Sequence, residues 1–424
     1  MKIHRCFAAL VVLLMALGGC SLMLERNEYS SVSAHADSTP TPPSAAGIQE
    51  VSDYKGLKDA IMAFLRAGAD EGTVRLRGYI GDAEKDVNEA WIDILRTEPI
   101  AVYALDYIVP SVTRLLSEYE VSFKLHYKRG SEQVHDIVYV ESPTVFRERL
   151  ADVLDAFGAG LTVETSYYRE SQYDFGAMLS ELYYGAPLRA MGMPELTFIV
   201  YPDNPDAGLR RVVEIGLRYP HAASVLNARA ARCENAAKAM AAEIPNGLEP
   251  REKARWLYEA LLGACEFDRA LYEAMNQDEA VNPAESATAY GALCEGLAVS
   301  EGYALAYMAL CREAGIDCRV ARGSSVHTAA PGSPGTGEAP AITSTEHFWN
   351  LIGIGGYYYH VDLSPDAMDG SLTYRAFLLD DFGMLRDYSW DAASLPAADG
   401  PLSNGVDDLE EEGEDTSREA DATI

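Results

Sequence analysis

The sequence predicts an α+β fold: a duplicated N-terminal module, then a second domain in which helices precede strands. Three observations predict it. An internal repeat lies between Asp53 and Pro220, each copy alternating amphipathic helical stretches with strands of period two. An Ala-rich helical run follows from about Ala222. The last apolar segments, around residues 316–363, alternate and flank a Gly355-Gly356 turn.

At 424 residues the chain predicts two or three domains, and 48% hydrophobic with 23% charged residues is close to the globular average. That composition excludes collagen-like, disulfide-scaffold and wholly disordered chains. With 34 basic against 65 acidic residues the net charge is −31, which repels phosphate backbones and argues against nucleic acid as a partner.

Lys2 and Arg5 precede the apolar run Cys6–Leu17, too short to span a bilayer and read as the core of a signal peptide over residues 1–20. Leu17-Gly18-Gly19-Cys20 resembles the lipobox of bacterial lipoproteins. The resemblance implies lipidation at Cys20 and a chain held on the extracytoplasmic face of the cell membrane, which it touches through its lipid anchor only. Residues 21–50, rich in Ser, Thr, Pro and Ala, are expected to form a flexible linker. Of seven cysteines, five remain after Cys6 and Cys20, so at least one thiol stays unpaired. None has CxxC spacing and the histidines are scattered, so neither metal nor cofactor is expected.

Residues 51–220 are assigned to the duplicated module. Its first copy holds VRLRGYI, DVNEAWIDILRTEP and FKLHY; its second holds VETSYY, DFGAMLSELYYGAP and IGLRY. Tyr79 matches Tyr167 and Pro99 matches Pro187 at 88 residues, and Tyr127 matches Tyr219 at 92, placing a four-residue insertion near the turn YPDNPDAG. Each copy is expected to run helix (Leu57–Arg66, Phe146–Phe157), strand, helix, strand. Its many tyrosines either pack a sheet or form an aromatic platform for glycan or peptide.

Residues 221–394 form the second domain. In LEPREKARWLYEALLGACEFD, Trp256, Leu257, Ala260 and Leu261 lie at helical spacing, with Pro250 suited to the first turn. Ser300–Ala314 reads as an amphipathic helix stopped by Gly315, Ile316–Val320 as a short strand, and Gly323–Thr345 as a loop. If Gly355-Gly356 is a two-residue hairpin loop, Asp362 lies opposite Trp349, with His347 one diagonal step away on the same face. A His–Asp pair beside a helix beginning at Ser300 has the layout of a nucleophile–base–orienter triad.

Several motifs in this region resemble the transglutaminase-like superfamily, whose fold is related to papain-type cysteine peptidases. The motifs are Ser300-Glu301-Gly302-Tyr303-Ala304, Gly315-Ile316, His347-Phe348-Trp349-Asn350 and Val361-Asp362. The flanking EKARWLYEALLGACEFD and FLLDDFGML extend the likeness over roughly residues 245–390. The resemblance implies a transglutaminase-like (papain-like) domain with catalytic positions at Ser300, His347 and Asp362. The family nucleophile is a cysteine, and here Ser300 occupies its position. Cys294, also followed by Glu-Gly, is the other candidate, but it stands 21 residues before Gly315 where Ser300 stands 15.

A cysteine at a helix start beside a histidine gains a standing thiolate, whereas serine needs concerted general-base help. The expected function is therefore a catalytically degenerate domain binding a peptide, protein or cell-wall ligand. The alternative is an acyl-transfer or peptide-hydrolysing enzyme using Ser300 or Cys294 with His347 and Asp362. Trp349 is expected to wall the site, His360 to point away from it, Glu301 to suit the helix dipole, and Cys311 and Cys318 to be buried free thiols. From about Leu395 the chain turns acidic, and residues 395–424 are expected to be a disordered tail.

Overall fold

A computed structural model describes residues 48–204, 207–276, 285–327 and 343–401. The expected signal peptide, most of the linker and the acidic end lie outside the described residues. The chain folds as two compact units, with the boundary between His135 and Asp136.

The first unit runs β1 (Gln49–Val51), α1 (Tyr54–Arg66), β2 (Glu71–Leu76), α2 (Ala83–Thr97), α3 (Pro99–Ala104), β3 (Leu105–Leu115), β4 (Glu118–Tyr127) and α4 (Ser131–His135). Asp53 and Asp82 cap α1 and α2 by accepting from the amides of Gly56 and Lys85, satisfying donors the first turn leaves over. The sheet order is β1-β2-β4-β3, with β1 parallel to β2 and the other pairs antiparallel.

The second unit begins with the same succession: β5 (Val138–Val140), α5 (Pro143–Asp155), β6 (Gly160–Thr165), α6 (Phe175–Tyr184), β7 (Glu195–Tyr201) and β8 (Arg211–Arg218). Its sheet is β5-β6-β8-β7, again with one parallel and two antiparallel pairs. Both sheets therefore contain two strands beyond the two expected per copy. The opening strands have only three residues, and the hairpin partners β3 and β7 are largely exposed, so neither carries a buried alternating pattern. Because β1 pairs with β2, the linker expected over 21–50 gives way to sheet at Gln49.

The chain continues as α7 (Ala223–Ala242), α8 (Pro250–Ala264), β9 (Glu266–Phe267), α9 (Arg269–Asn276), β10 (Leu297–Ala298) and α10 (Ser300–Glu313). It ends with β11 (Asp317–His327), β12 (Thr343–Ile354), β13 (Tyr357–Val361), α11 (Ser364–Asp369), β14 (Phe377–Leu379), α12 (Asp381–Met384) and β15 (Tyr388–Trp390). Pro250 opens α8, where Glu249 and Glu252 form a capping box. The strands form a five-stranded antiparallel sheet of order β14-β13-β12-β11-β15.

Residues 138–218 and the following domain share a core. Phe157, Tyr183, Ala190 and Met191 pack in one cluster with Leu226, Leu257, Tyr307 and Ile352. The division of the chain thus falls at 135/136, inside the segment expected as one module, rather than at 220/221. An apolar contact of this kind joins residues far apart in sequence and leaves no mark in composition.

Three further expectations need correction. Helix α10 is not amphipathic: Gly302–Cys311 are all buried, so it runs through the core. Gly323–His327 and Thr343–Thr345 are not loop but the paired ends of β11 and β12, with His327 opposite Thr343; residues 328–342 lie outside the described residues. Their Ser, Thr and Gly content suits the ends of paired strands as well as a loop. The tail does not start at Leu395, because Ala398 is buried and its carbonyl accepts from the Asp381 amide.

Candidate active site

Helix α10 places Ser300 in its first turn. Val299 is the N-cap, so Ser300 is the first helical residue rather than the cap. Gly302 has a steric reason: a Cβ there would lie 2.3 Å from the Ser286 carbonyl oxygen, so only glycine lets the helix cross that backbone so closely. Gly315, at φ +76°, ends the helix in the left-handed conformation.

The hairpin β12–β13 positions the other two residues. Gly355 and Gly356 take φ of +61° and +87°, as a two-residue turn between right-twisted strands requires. The register pairs Asn350 with Val361 and Ile354 with Tyr357, as the two-residue loop predicts. One step beyond Val361, Asp362 meets His347, whose Nε2 lies 2.6 Å from Asp362 Oδ2.

The Asp362 carboxylate is buried and fully occupied. Oδ2 also accepts from the Tyr388 hydroxyl at 2.7 Å; Oδ1 accepts from the Ser364 amide at 2.9 Å and the Ser364 hydroxyl at 2.6 Å. Burial pushes its pKa up, but the neighbouring His347 and the bonds from His347, Ser364 and Tyr388 outweigh it and hold the pKa below the usual carboxylate value. An ionised Asp362 accepts a hydrogen bond from the Nε2–H of His347, so a base acting on Ser300 would use Nδ1. Sequence reasoning missed Tyr388 and Ser364; Tyr388 sits on β15, joined to β11 through non-local pairs that no motif marks.

Trp349 is fully buried beneath His347, with ring centroids 6.3 Å apart, and so does not wall an open groove. Its indole N–H donates to His360 Nδ1 at 2.9 Å, while His360 Nε2 lies 2.9 Å from Asp381 Oδ1. His360 therefore does not point away: it stands two residues from Asp362, hence on the same side of the strand. Because an indole only donates, Nδ1 must accept and the Nε2–H must face Asp381. Burial holds the His360 pKa below its ordinary value, in keeping with a neutral ring.

On the helix side, Glu301 accepts from the Tyr184 hydroxyl at 2.9 Å. Tyr184 belongs to α6, and its ring lies 5.2 Å from Phe348. Thus α6 reaches the residue beside Ser300 and the residue beside His347. Glu301 and Glu346 also feel each other's charge, since the start of α10 stands close to the His347 end of β12. Burial of its carboxyl end pushes the Glu301 pKa up to about 7.

Cys294 sits in the π-helical turn Gly291–Glu295, half-buried, and burial pushes its thiol pKa up. Cys311 and Cys318 are buried and unbridged. Two cavities in this unit, of about 310 and 520 Å³, are lined by other residues than Ser300, His347 and Asp362. Among the described residues no helix is long and apolar enough to cross a membrane, and no cluster of three His, Cys, Asp or Glu side chains could hold a metal.

Residues 238–363 match the model of the transglutaminase-like superfamily. Among solved structures, the chain is similar to a TGase at 9% identity and TM-score 0.26, over 57% of this chain and 61% of that one. It is also similar to a candidate cysteine protease from Cytophaga hutchinsonii at 12% identity and TM-score 0.24, over 48% of this chain and 72% of that one. The chain thus spans about three fifths of the length of the TGase it matches. No curated protein matches the chain. What the family match and the five-stranded sheet share is one region, and residues 238–363 are a transglutaminase-like domain.

Proposed function

We propose that this chain is a surface-anchored protein whose transglutaminase-like domain binds an extended peptide or cell-wall stem peptide without turning it over. The observation that carries the reading is that α10 begins with Ser300, which by the motif resemblance stands where the family has cysteine. A helix start and an adjacent imidazole lower a thiol's pKa by several units, but a hydroxyl starts far too high to ionise in the same way. His347 and Asp362 would then help to shape the site rather than drive chemistry. The lipobox-like Leu17-Gly18-Gly19-Cys20 supports a lipid anchor at Cys20, and the matching order of the two four-stranded sheets supports a duplicated module.

A second reading is favoured by the ordered state of Asp362, which fixes the tautomer of His347. In it, Nδ1 takes the Ser300 proton while Oγ attacks a carboxamide or peptide carbonyl, and the amides at the start of α10 receive the developing oxyanion. Cys294 suits this role less well, since burial pushes its thiol pKa up.

The test compares the native chain with Ser300→Cys and Ser300→Ala in amine incorporation into a glutamine peptide and in peptide hydrolysis. Native protein is expected to match Ser300→Ala, with turnover appearing only in Ser300→Cys. Native turnover above that of Ser300→Ala would overturn the binding reading in favour of the serine enzyme.

A further inference from the structure

We propose that the cavity at the far end of α10 from Ser300 binds a free α-amino acid with a large apolar side chain. The cavity, of about 310 Å³, lies where four segments of the second unit meet: the end of α5, residues 186–189 after α6, residues 227–237 of α7 and the last turns of α10. Pockets for small molecules favour such junctions. The volume equals about ten waters at roughly 30 Å³ each, room for one amino acid with an aromatic or long aliphatic side chain. Helix α10 has 14 residues, so the cavity stands roughly 20 Å from Ser300 and the inference goes beyond the reading of that site.

The floor is apolar, with Phe157, Pro187, Ala237 and Ala309 buried around it. Phe157 takes φ +50° just past the C-cap of α5, a place that usually falls to glycine. Behind it Tyr219 packs edge-on at 5.7 Å, and the Tyr219 hydroxyl is buried with no hydrogen-bond partner among the described residues. Both features cost stability, and neither is what packing alone selects, whereas strain of this kind gathers at ligand sites. The rim supplies the charges. Asp155 accepts from Arg189 Nε at 2.7 Å, and Glu234 pairs with Lys238 one turn along α7. Arg312 and Glu313 also line the cavity, and among the described residues neither has an ion-pair partner. Arg312 gives one N–H to the Gly185 carbonyl and keeps the rest of its fork. Adjacent side chains on a helix do not face each other, so these two do not neutralise one another. A carboxylate for Arg312 and an ammonium for Glu313, carried on one carbon, leave the side chain to fill the floor. A singly charged ligand would leave one of the two unmatched.

The test is a ligand-observed NMR titration of the full chain with L-phenylalanine, its amide, its N-acetyl form and glycine. The amide keeps only the ammonium and resembles the first residue of a peptide; the N-acetyl form keeps only the carboxylate and resembles the last. Free L-phenylalanine is expected to bind about fivefold tighter than either, the factor a solvent-exposed charge pair supplies at best. Glycine is expected not to bind, because nothing covers the apolar floor. Ala230→Leu, which fills the cavity from the half-buried side of α7, should weaken L-phenylalanine roughly tenfold or more. Arg312→Gln, on the exposed rim, should weaken it about fivefold and leave the blocked amide unaffected. Equal binding of either blocked form, undiminished binding by Ala230→Leu or Arg312→Gln, or no binding of L-phenylalanine at millimolar concentration would overturn the proposal.

Discussion

Tyr388→Phe isolates one bond of the buried carboxylate. The hydroxyl donates to Asp362 Oδ2 at 2.7 Å, while the ring contacts Trp349 and His347 at centroid distances of 5.4 and 5.5 Å. Phenylalanine keeps the ring and removes only the donor. Hydrogen bonds to charged groups contribute roughly 1.5–3 kcal/mol, so a loss of about 2 kcal/mol is expected at neutral pH. In a unit of this size that lowers Tm by about 4–8 °C. Because the chain has two compact units, thermal unfolding is followed by tryptophan fluorescence, with Trp349 and Trp390 reporting on the affected sheet. The pH dependence has a definite sign. The Asp362 pKa is depressed in the folded state, so its contribution is present above the unfolded value near about 3.9 and is lost as pH falls through the folded one. The penalty of Tyr388→Phe is therefore constant between neutral and mildly acid pH and shrinks only in stronger acid. A penalty below about 0.5 kcal/mol at neutral pH would refute a charge-assisted bond.

Three further outcomes are expected. The Glu301 pKa is raised to about 7, so its contribution is fully present below the unfolded value and is lost as pH rises through about 7. This costs at most about 3.5 kcal/mol between the two values, and Glu301→Gln should flatten that slope in urea titrations at stepped pH. In Gly323→Ala a Cβ would lie 2.1 Å from the Ser389 carbonyl oxygen and 2.9 Å from Trp349 Cη2, so β15 must shift; calorimetry should record a loss of about 1–3 kcal/mol. The depressed pKa of His360 means that its contribution is lost as pH falls through that value. The Trp349 indole N–H resonance should then move in acid, because protonated Nδ1 no longer accepts, and a resonance fixed across the transition would contradict the assigned tautomer.

The hairpin is legible in the sequence because its register depends on local facts: two glycines free to take positive φ, and the period of two along each strand. From these alone His347 and Asp362 fall together. What stays hidden is non-local. Tyr388 reaches Asp362 from a three-residue strand whose pairing partners lie more than sixty positions earlier. Tyr184 reaches Glu301 across 117 residues from what the repeat presents as a separate module. Helix α10 reads as amphipathic when its small residues, Gly302, Ala304, Ala306 and Ala309, count as a weak face, whereas they are the sites at which the core closes on it.

The ordered His347–Asp362 pair is weaker evidence for catalysis than a triad reading makes it. Asp362 receives the amide and hydroxyl of Ser364 at the start of α11 and the hydroxyl of Tyr388 from the far edge of the sheet, so it ties together three elements. Replacing it by an apolar residue would leave the Ser364 amide and the Tyr388 hydroxyl unpaired in a buried place, at about 1–3 kcal/mol each. His347 in turn covers Trp349, whose indole is fixed through His360 to Asp381. Loss of activity would therefore not free these residues to drift, because the fold needs them where they stand. Ser300 is different: it is the first helical residue and not the cap, so its side chain is not what starts the helix. The discriminating position between binder and enzyme is thus Ser300, and the integrity of the pair behind it is the weaker guide.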